Sequence, residues 1–246
     1  MEFLKCEVLN EILPTGLPYG YLVLINGDIG MGKTLLVKII AKSAIQRGDS
    51  VLYVAFDDDP AAIMEDLGTN NVFIIDGFNL SDRYRVKNPN IVDYITDLEP
   101  SQFIGKINNA VQGRSIKVLV VDSLNDLIVN VEPRALLILL KQLKALSRRY
   151  GLLTLTVAHT TTEDVSNLMS NLEYVFDGVI EMEFDENMAN LGIPIRRMRI
   201  KRMRGIAHSL NWFYFTTSRG NIVPVDVNEV RNMLKSVLES MGVQLK

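Results

Sequence analysis

Apolar, β-branched runs and helix-period segments take turns along the first two thirds of the chain, and this alternation limits the fold more than any other feature. Residues 21–26 read as a buried strand. Residues 33–47 follow, with Leu36, Ile39 and Ile40 at helical spacing, and stop at Gly48. The order then recurs as strand 51–56, helix 60–67, strand 72–76, helix 101–111, strand 117–122, helix 133–150 and strand 152–157. Val118-Leu119-Val120-Val121 is continuously apolar, which marks a strand covered on both faces. Pro133 opens the longest helix and Gly151 closes it, as helix ends favour. Strands that alternate with helices are joined by crossovers. The expected fold class is therefore α/β, a mostly parallel sheet flanked by helices on both faces.

The pattern changes after residue 157. Residues 178–185, 195–203 and 211–216 read as strands with no helices between them, an antiparallel meander added late in the chain. Residues 227–241 close it as an amphipathic helix, and the polar stretch 77–100 reads as an irregular surface excursion. No linker is visible, so residues 1–246 are expected to form a single domain. At 48% hydrophobic and 22% charged, disorder is excluded as the dominant state. Cys6 is the only cysteine, which excludes an internal disulfide and a cysteine-based zinc cluster. With only His159 and His208, a multi-histidine metal site is not expected. The formal charge of −3 argues against general coating of nucleic acid and leaves a local basic patch open. The start Met1-Glu2-Phe3-Leu4-Lys5 is no signal peptide, and apolar runs such as 135–140 fall far short of the ~20 residues of a membrane helix. A cytoplasmic protein without a membrane partner is expected.

The strongest local signal is Gly27-Asp28-Ile29-Gly30-Met31-Gly32-Lys33-Thr34, which fits G-x-x-x-x-G-K-[ST] between a strand and a helix. Glycines let backbone N–H groups curl around phosphate oxygens, and the helix N-terminus adds positive potential. Lys33 can reach β and γ phosphates, and the Thr34 hydroxyl can ligate Mg2+. These eight residues, with Leu35 behind them, are the candidate nucleotide-binding set. Asp122 ends the buried strand 117–122, where a carboxylate can face a metal at the carboxyl edge of a parallel sheet; a plain turn aspartate is the alternative.

Asp57-Asp58-Asp59-Pro60 follows the next strand. Three adjacent carboxylates repel one another. Asp58 or Asp59 before Pro60 makes a good helix N-cap, and another acid can face the nucleotide to orient and deprotonate water. Asp57 and Asp58 are both candidates for that role.

Taken together, these parts resemble the RecA-like ATPases, specifically the single-domain archaeal relatives of KaiC and RadA. The segments that carry the resemblance, besides the phosphate loop, are residues 9–20, Phe56-Asp57-Asp58-Asp59-Pro60, Val121-Asp122-Ser123-Leu124, residues 173–180, and Arg202-Met203-Arg204-Gly205-Ile206-Ala207-His208. The last resembles the KaiC pattern Lys-x-Arg-Gly-x-x-His, whose basic residues reach the neighbouring subunit's nucleotide. The resemblance spans residues 9–224 and implies a RecA-like core that binds ATP or ADP with Mg2+. Asp57 and Asp58 stand where KaiC-like proteins carry glutamates, and Arg202 stands for a lysine. One ATPase domain is visible, so neither KaiC's clock role nor its autophosphorylation carries over.

Residues 195–204 hold six basic side chains: Arg196, Arg197, Arg199, Lys201, Arg202 and Arg204. Glu181 and Glu183 on the preceding strand could pair with Arg199 and Arg197 across a hairpin. The opposite face reads Met198, Ile200, then Arg202 and Arg204, and so calls for an anionic partner such as a neighbour's γ-phosphate. His159, at the end of strand 152–158, is placed to sense a γ-phosphate. Thr162, ahead of Glu163 and Asp164, is placed to cap a helix.

These observations lead to a slow, Mg2+-dependent ATPase that works through homo-oligomer interfaces in a ring or filament. Lys33, Asp57, Asp58, Arg202 and Arg204 are its candidate catalytic residues. A RadA-paralogue module that grips single-stranded DNA or regulates a recombinase, and a nucleotide-stabilised scaffold, are the alternatives.

Overall fold

The central strands are apolar on both faces, and in the computed structural model each face carries its own layer of helices. Residues 1–79, 88–190 and 195–240 are described. The strands are β1 (Phe3–Leu4), β2 (Leu17–Pro18), β3 (Leu22–Gly27), β4 (Ser50–Ala55), β5 (Val72–Asp76), β6 (Ile91–Tyr94), β7 (Ile116–Asp122), β8 (Leu153–His159), β9 (Gly178–Phe184), β10 (Arg196–Met203), β11 (Phe213–Ser218) and β12 (Asn221–Pro224). The helices are α1 (Lys33–Gln46), α2 (Pro60–Leu67), α3 (Pro100–Gln112), α4 (Asn125–Asn130), α5 (Pro133–Tyr150), α6 (Glu163–Leu172), α7 (Glu186–Asn190) and α8 (Val227–Ser240). Strands β1 and β2 form a small antiparallel pair, and the other ten make one sheet in the order β12-β11-β10-β9-β3-β8-β7-β4-β5-β6.

Alternation within each strand builds two cores. Val23 and Ile25 of β3, Tyr53 of β4, and Val118 and Val120 of β7 pack with Leu36, Val37 and Ile40 of α1. Leu22, Leu24, Leu52, Val54, Leu119 and Val121 turn the other way, onto Phe103 of α3 and Leu136, Leu139, Leu140 and Leu143 of α5. Both faces of a parallel sheet need such cover, so strand and helix must alternate in the chain. Among the described residues, no helix is long and apolar enough to cross a membrane.

Three expectations need correction. Strand β9 pairs parallel to β3, so it belongs to the parallel core, and the antiparallel part begins at β10. Helix α7 lies between β9 and β10, where no helix was expected. The stretch 77–100 contains β6, the edge strand that pairs parallel with β5; its four residues are too few, and too polar at Asp93, to stand out as a strand. Residues 80–87 of that stretch, and Met241 of the expected last helix, lie outside the described residues.

A buried charge ties the amino edge of the sheet together. Asp177 is fully buried just before β9. Its Oδ1 lies 2.8 Å from Lys144 Nζ, 3.1 Å from Arg148 and 3.6 Å from Arg204. The Leu22 N–H donates to its Oδ2 at 3.3 Å. Arg148 and Arg204 are half exposed and remain hydrated without it, so Asp177→Ala is expected to lower unfolding free energy by about 1–3 kcal/mol, chiefly through the Leu22 N–H left unpaired. A urea titration followed by far-UV circular dichroism checks this, and an unchanged midpoint would show that the cluster contributes nothing.

Candidate functional site

The glycine-rich turn leaves β3 and enters α1 without a side-chain cap. Gly32, at the N-cap position, has φ +93°, a left-handed conformation that a β-carbon disfavours. Its geometry leaves the first N–H groups of α1 facing the turn, with the positive end of the helix dipole behind them. Lys33 is 2% exposed. Its ammonium donates to the Gly27 and Asp28 carbonyls at 2.7 and 2.6 Å. Burial lowers its pKa to about 8, against the pull of Asp122, Asp28 and Asp57. A desolvated cation that leans only on loop carbonyls fits an anionic ligand.

The three consecutive carboxylates part company. Asp59 is the N-cap of α2 and accepts the Ala61 N–H at 2.7 Å. Asp58 turns to Lys38 of α1 at 2.7 Å, and Lys38 also holds Asp66 at 2.7 Å. Asp57 faces the site, with Oδ2 3.1 Å from His159 Nε2. Its pKa is lowered first by that hydrogen bond, against burial, and further by Ser123, the His159 charge and Lys33. Asp122 lies 1% exposed at the end of β7. Tyr53 Oη donates to its Oδ2 at 2.6 Å, and the Thr34 hydroxyl lies 3.4 Å from its Oδ1. Burial pushes its pKa up to about 6, and the nearby Asp57 and Asp58 add to that. A buried acid next to other acids favours a cation.

The donor set suits Mg2+ in kind, since a hydroxyl and a carboxylate are hard oxygen ligands. Among the described residues no cluster of three His, Cys, Asp or Glu side chains could hold a metal alone. Thr34 and Asp122 would share the ion with phosphate oxygens and water, as Mg2+ commonly requires.

The basic strand divides in a way its sequence did not indicate. Arg197 and Arg199 pair with Glu183 and Glu181 in the anticipated register, and both guanidinium groups lie over the Trp212 ring, at 4.3 and 4.4 Å. Lys201 pairs with Glu173 at 2.9 Å. The expected apolar face that turns doubly basic is overturned by a register shift between Ile200 and Arg202. A bulge reverses which residues face each side. Met203 therefore continues the apolar face of Met198 and Ile200. The Arg202 guanidinium goes instead to the Glu173 and Phe176 carbonyls, and Arg204 reaches toward Asp177. Met203 pairs with Gly178, which pairs with Val23 at the start of β3, so Arg202 and Arg204 lie at the edge opposite the glycine-rich turn.

Arg196, at the other end of β10, is the functional candidate that sequence reasoning missed. Its Nε donates to the Gly30 carbonyl at 3.0 Å. With Lys33, Thr34, His159 and Thr217 it lines a cavity of about 310 Å³. A second cavity of about 370 Å³ shares Thr34 and Leu35 and continues past Lys42, Arg219 and Asn221. Arg196 was legible only as one basic residue among six, because the direction of β10 relative to β3 is not written locally.

Comparison with known proteins decides the family. The family described as the KaiC ATPase matches residues 5–229. This chain belongs to the KaiC ATPase family. Among curated relatives, UPF0273 protein PH0284 of Pyrococcus horikoshii is 26% identical over 89% of this chain and 91% of that protein. A UPF0273 protein of Thermotoga maritima is 27% identical over 87% of this chain and 91% of its own length. The crystal structure of KaiC-like protein PH0186 from P. horikoshii superposes with a TM-score of 0.69 at 18% identity, covering 92% of this chain and 98% of that one. The chain is thus a KaiC-like ATPase domain with the RecA fold: a mostly parallel sheet flanked by helices, with antiparallel strands added late.

The site also sets a stability test. Gly27 has φ +146°, and a β-carbon there would lie 1.9 Å from the Met182 carbonyl oxygen of β9. Gly27→Ala must push β3 from β9 at the root of the loop. Strain and overpacking together are expected to cost about 3 kcal/mol or more. Calorimetry checks this through the unfolding temperature, and an unshifted temperature would mean the strands part freely.

Proposed function

We propose that this KaiC-family domain binds ATP and hydrolyses it slowly. The observation that carries the reading is the convergence of Lys33, Thr34, Asp122 and Asp57 at one sheet edge, around a loop whose buried ammonium has no carboxylate in hydrogen-bond contact among the described residues. The loop residues Gly27–Leu35 bind the phosphates through backbone N–H groups, and the Lys33 ammonium turns from the loop carbonyls toward the β and γ oxygens. Arg196, already at the Gly30 carbonyl, adds a second cation from the same subunit. The nucleoside end extends along the cavity past Lys42 and Arg219. Thr34 and Asp122 would hold Mg2+, which would supply positive charge against the charge that develops on the phosphate. Asp57 orients the attacking water and accepts its proton. Asp58 serves the fold through Lys38.

The output is a nucleotide-dependent contact between copies of the chain, in a ring or filament. Arg204 is half exposed at the edge opposite its own loop, and in such an assembly it meets the neighbour's γ-phosphate, with Arg202 held beside it by backbone carbonyls. An ATP-consuming domain with a buried free thiol at Cys6 fits the cytoplasm. A grip on single-stranded DNA would need a row of free cations, and Arg197, Arg199 and Lys201 are committed to glutamates.

Three variants test this. Lys33→Ala is expected to abolish productive ATP binding, read by calorimetric titration. Asp57→Asn is expected to keep ATP affinity and lower kcat by roughly 100-fold or more, because a base is removed and little ground-state binding is lost. Asp58→Asn is expected to change stability more than rate. Equal rates for wild type and Asp57→Asn would remove Asp57 from the chemistry.

The assembly has its own test. Arg204→Ala is expected to fold, bind ATP and hydrolyse it slowly. Mixing it with Lys33→Ala is expected to restore turnover, since an intact loop can then meet an intact arginine. If subunits exchange and turnover never rises, Arg204 serves only the Asp177 cluster.

A further inference from the structure

His159 ends β8 beside Gly27, its partner in the pairing with β3. Its ring crosses to Asp57, 102 residues away in sequence, with Nε2 3.1 Å from Oδ2. The other ring nitrogen, Nδ1, is buried and has no hydrogen-bond partner among the described residues. A buried N–H without an acceptor carries its full desolvation cost. In the neutral ring the proton therefore belongs on Nε2, where Asp57 accepts it.

The backbone under the ring is fixed as firmly as the ring itself. Asn125, at the start of α4, accepts the His159 N–H on its Oδ1 at 2.8 Å and donates from Nδ2 to the His159 carbonyl at 3.0 Å. This two-bond clamp joins the end of β8 to the loop that follows Asp122. Side-chain torsions alone then decide where Nε2 points, and Asp57 is where it points. Ser123 also lies beside the Asp57 carboxylate, and His159 is the partner that reaches it from the end of β8. Asp57 follows the last residue pairs of β4 and is more than a third exposed, with its backbone N–H only 3.4 Å from the Asp122 carbonyl. An acid on a strand end can swing by an ångström. A displacement of that size at a reacting centre costs rate steeply.

We infer that His159 is the positioning residue of Asp57: donating from Nε2, it fixes one carboxylate oxygen and leaves remaining lone pairs to direct the attacking water. This rests on the ATPase reading proposed above. It differs from a γ-phosphate sensor, because the ring acts through the acid and makes no demand on the phosphate. Asp57 stays ionised beside it, held low by that same hydrogen bond, so its work is orientation as much as proton transfer.

The test combines kinetics with a spectroscopic readout. His159→Ala is expected to lower kcat by roughly 10- to 100-fold with little change in ATP affinity. His159→Gln is expected to restore most of the rate, because its amide N–H can stand in for Nε2–H. In the Asp57→Asn background, His159→Ala is expected to cost nothing further, since a residue that acts through another has no effect once that other is gone. Nitrogen-15 NMR of labelled imidazole is expected to show the Nε2–H form of His159, with a resonance that moves in Asp57→Asn. Several results overturn the inference alone while wild-type turnover stands: an unchanged kcat in His159→Ala, a glutamine variant as slow as alanine, additive losses in the double variant, or the Nδ1–H tautomer. A wild type that binds ATP and never turns it over overturns the ATPase reading instead. In that case the tautomer and its response to Asp57→Asn still decide whether the His159–Asp57 bond is as described.

Discussion

The parallel pairing of β3 with β8, and of β4 with β7, governs everything functional in this chain. In these registers Gly27 lies beside His159, and Ala55 beside Asp122. The strands run the same way because helices must cover both faces of an apolar sheet, and each crossover returns the chain to the same edge. The carboxyl ends of four strands then deliver a phosphate loop, three acids, a buried acid and a histidine to one place. If one crossover were replaced by a hairpin, its strand would present the opposite end and its residues would be lost from the group.

Gathering carboxylates at one edge creates an electrostatic problem, and the fold answers it separately for each acid. Asp59 is spent on the cap of α2, where a helix N-terminus favours negative charge. Asp58 is neutralised by Lys38, which reaches back from α1. Asp57 is held by His159. Asp122 has only the Tyr53 and Thr34 hydroxyls, which satisfy its oxygens without supplying charge. Burial drives its pKa up to about 6. On the opposite side Lys33 is driven down to about 8. Burial has moved an acid and a base toward neutrality side by side. Both shifts have the sign that a bound cation at Asp122 and bound phosphate at Lys33 would reverse.

Much of this was legible in the sequence, for identifiable reasons. The phosphate loop, the strand 117–122 and the helix 133–150 rest on local patterns: glycine spacing, a continuous apolar run, and Pro133 and Gly151 as punctuation. Asp57 and Asp122 follow from their positions at strand ends. The cross-strand pairs Arg197–Glu183 and Arg199–Glu181 could be anticipated because charge alternated on two neighbouring strands. What failed was information the chain does not write locally. The shift after Ile200 sends Arg202 to the other face, and no glycine or proline within β10 announces it. The contacts of Arg196 with Gly30 and of His159 with Asp57 span 166 and 102 residues, and they exist only once strand order and direction are known.

Strand β10 shows why direction matters as much as charge. It is the first antiparallel strand of the sheet, so its amino end meets the carboxyl edge of the parallel core. Arg196 therefore reaches the chain's own glycine-rich turn. The same strand ends at the opposite edge, about 23 Å away at the rise expected of a strand of this length. There Met203 pairs with Gly178, and Arg204 stands next to Asp177. A parallel strand of identical sequence would exchange these roles, and Arg204 would face its own nucleotide. In the proposed assembly one rigid element thus touches two nucleotides, its own through Arg196 and a neighbour's through Arg204. Between them lie Arg197 and Arg199, locked by glutamates and by the Trp212 ring. In that proposed assembly, coupling between adjacent sites would run along a single strand whose two ends meet different nucleotides.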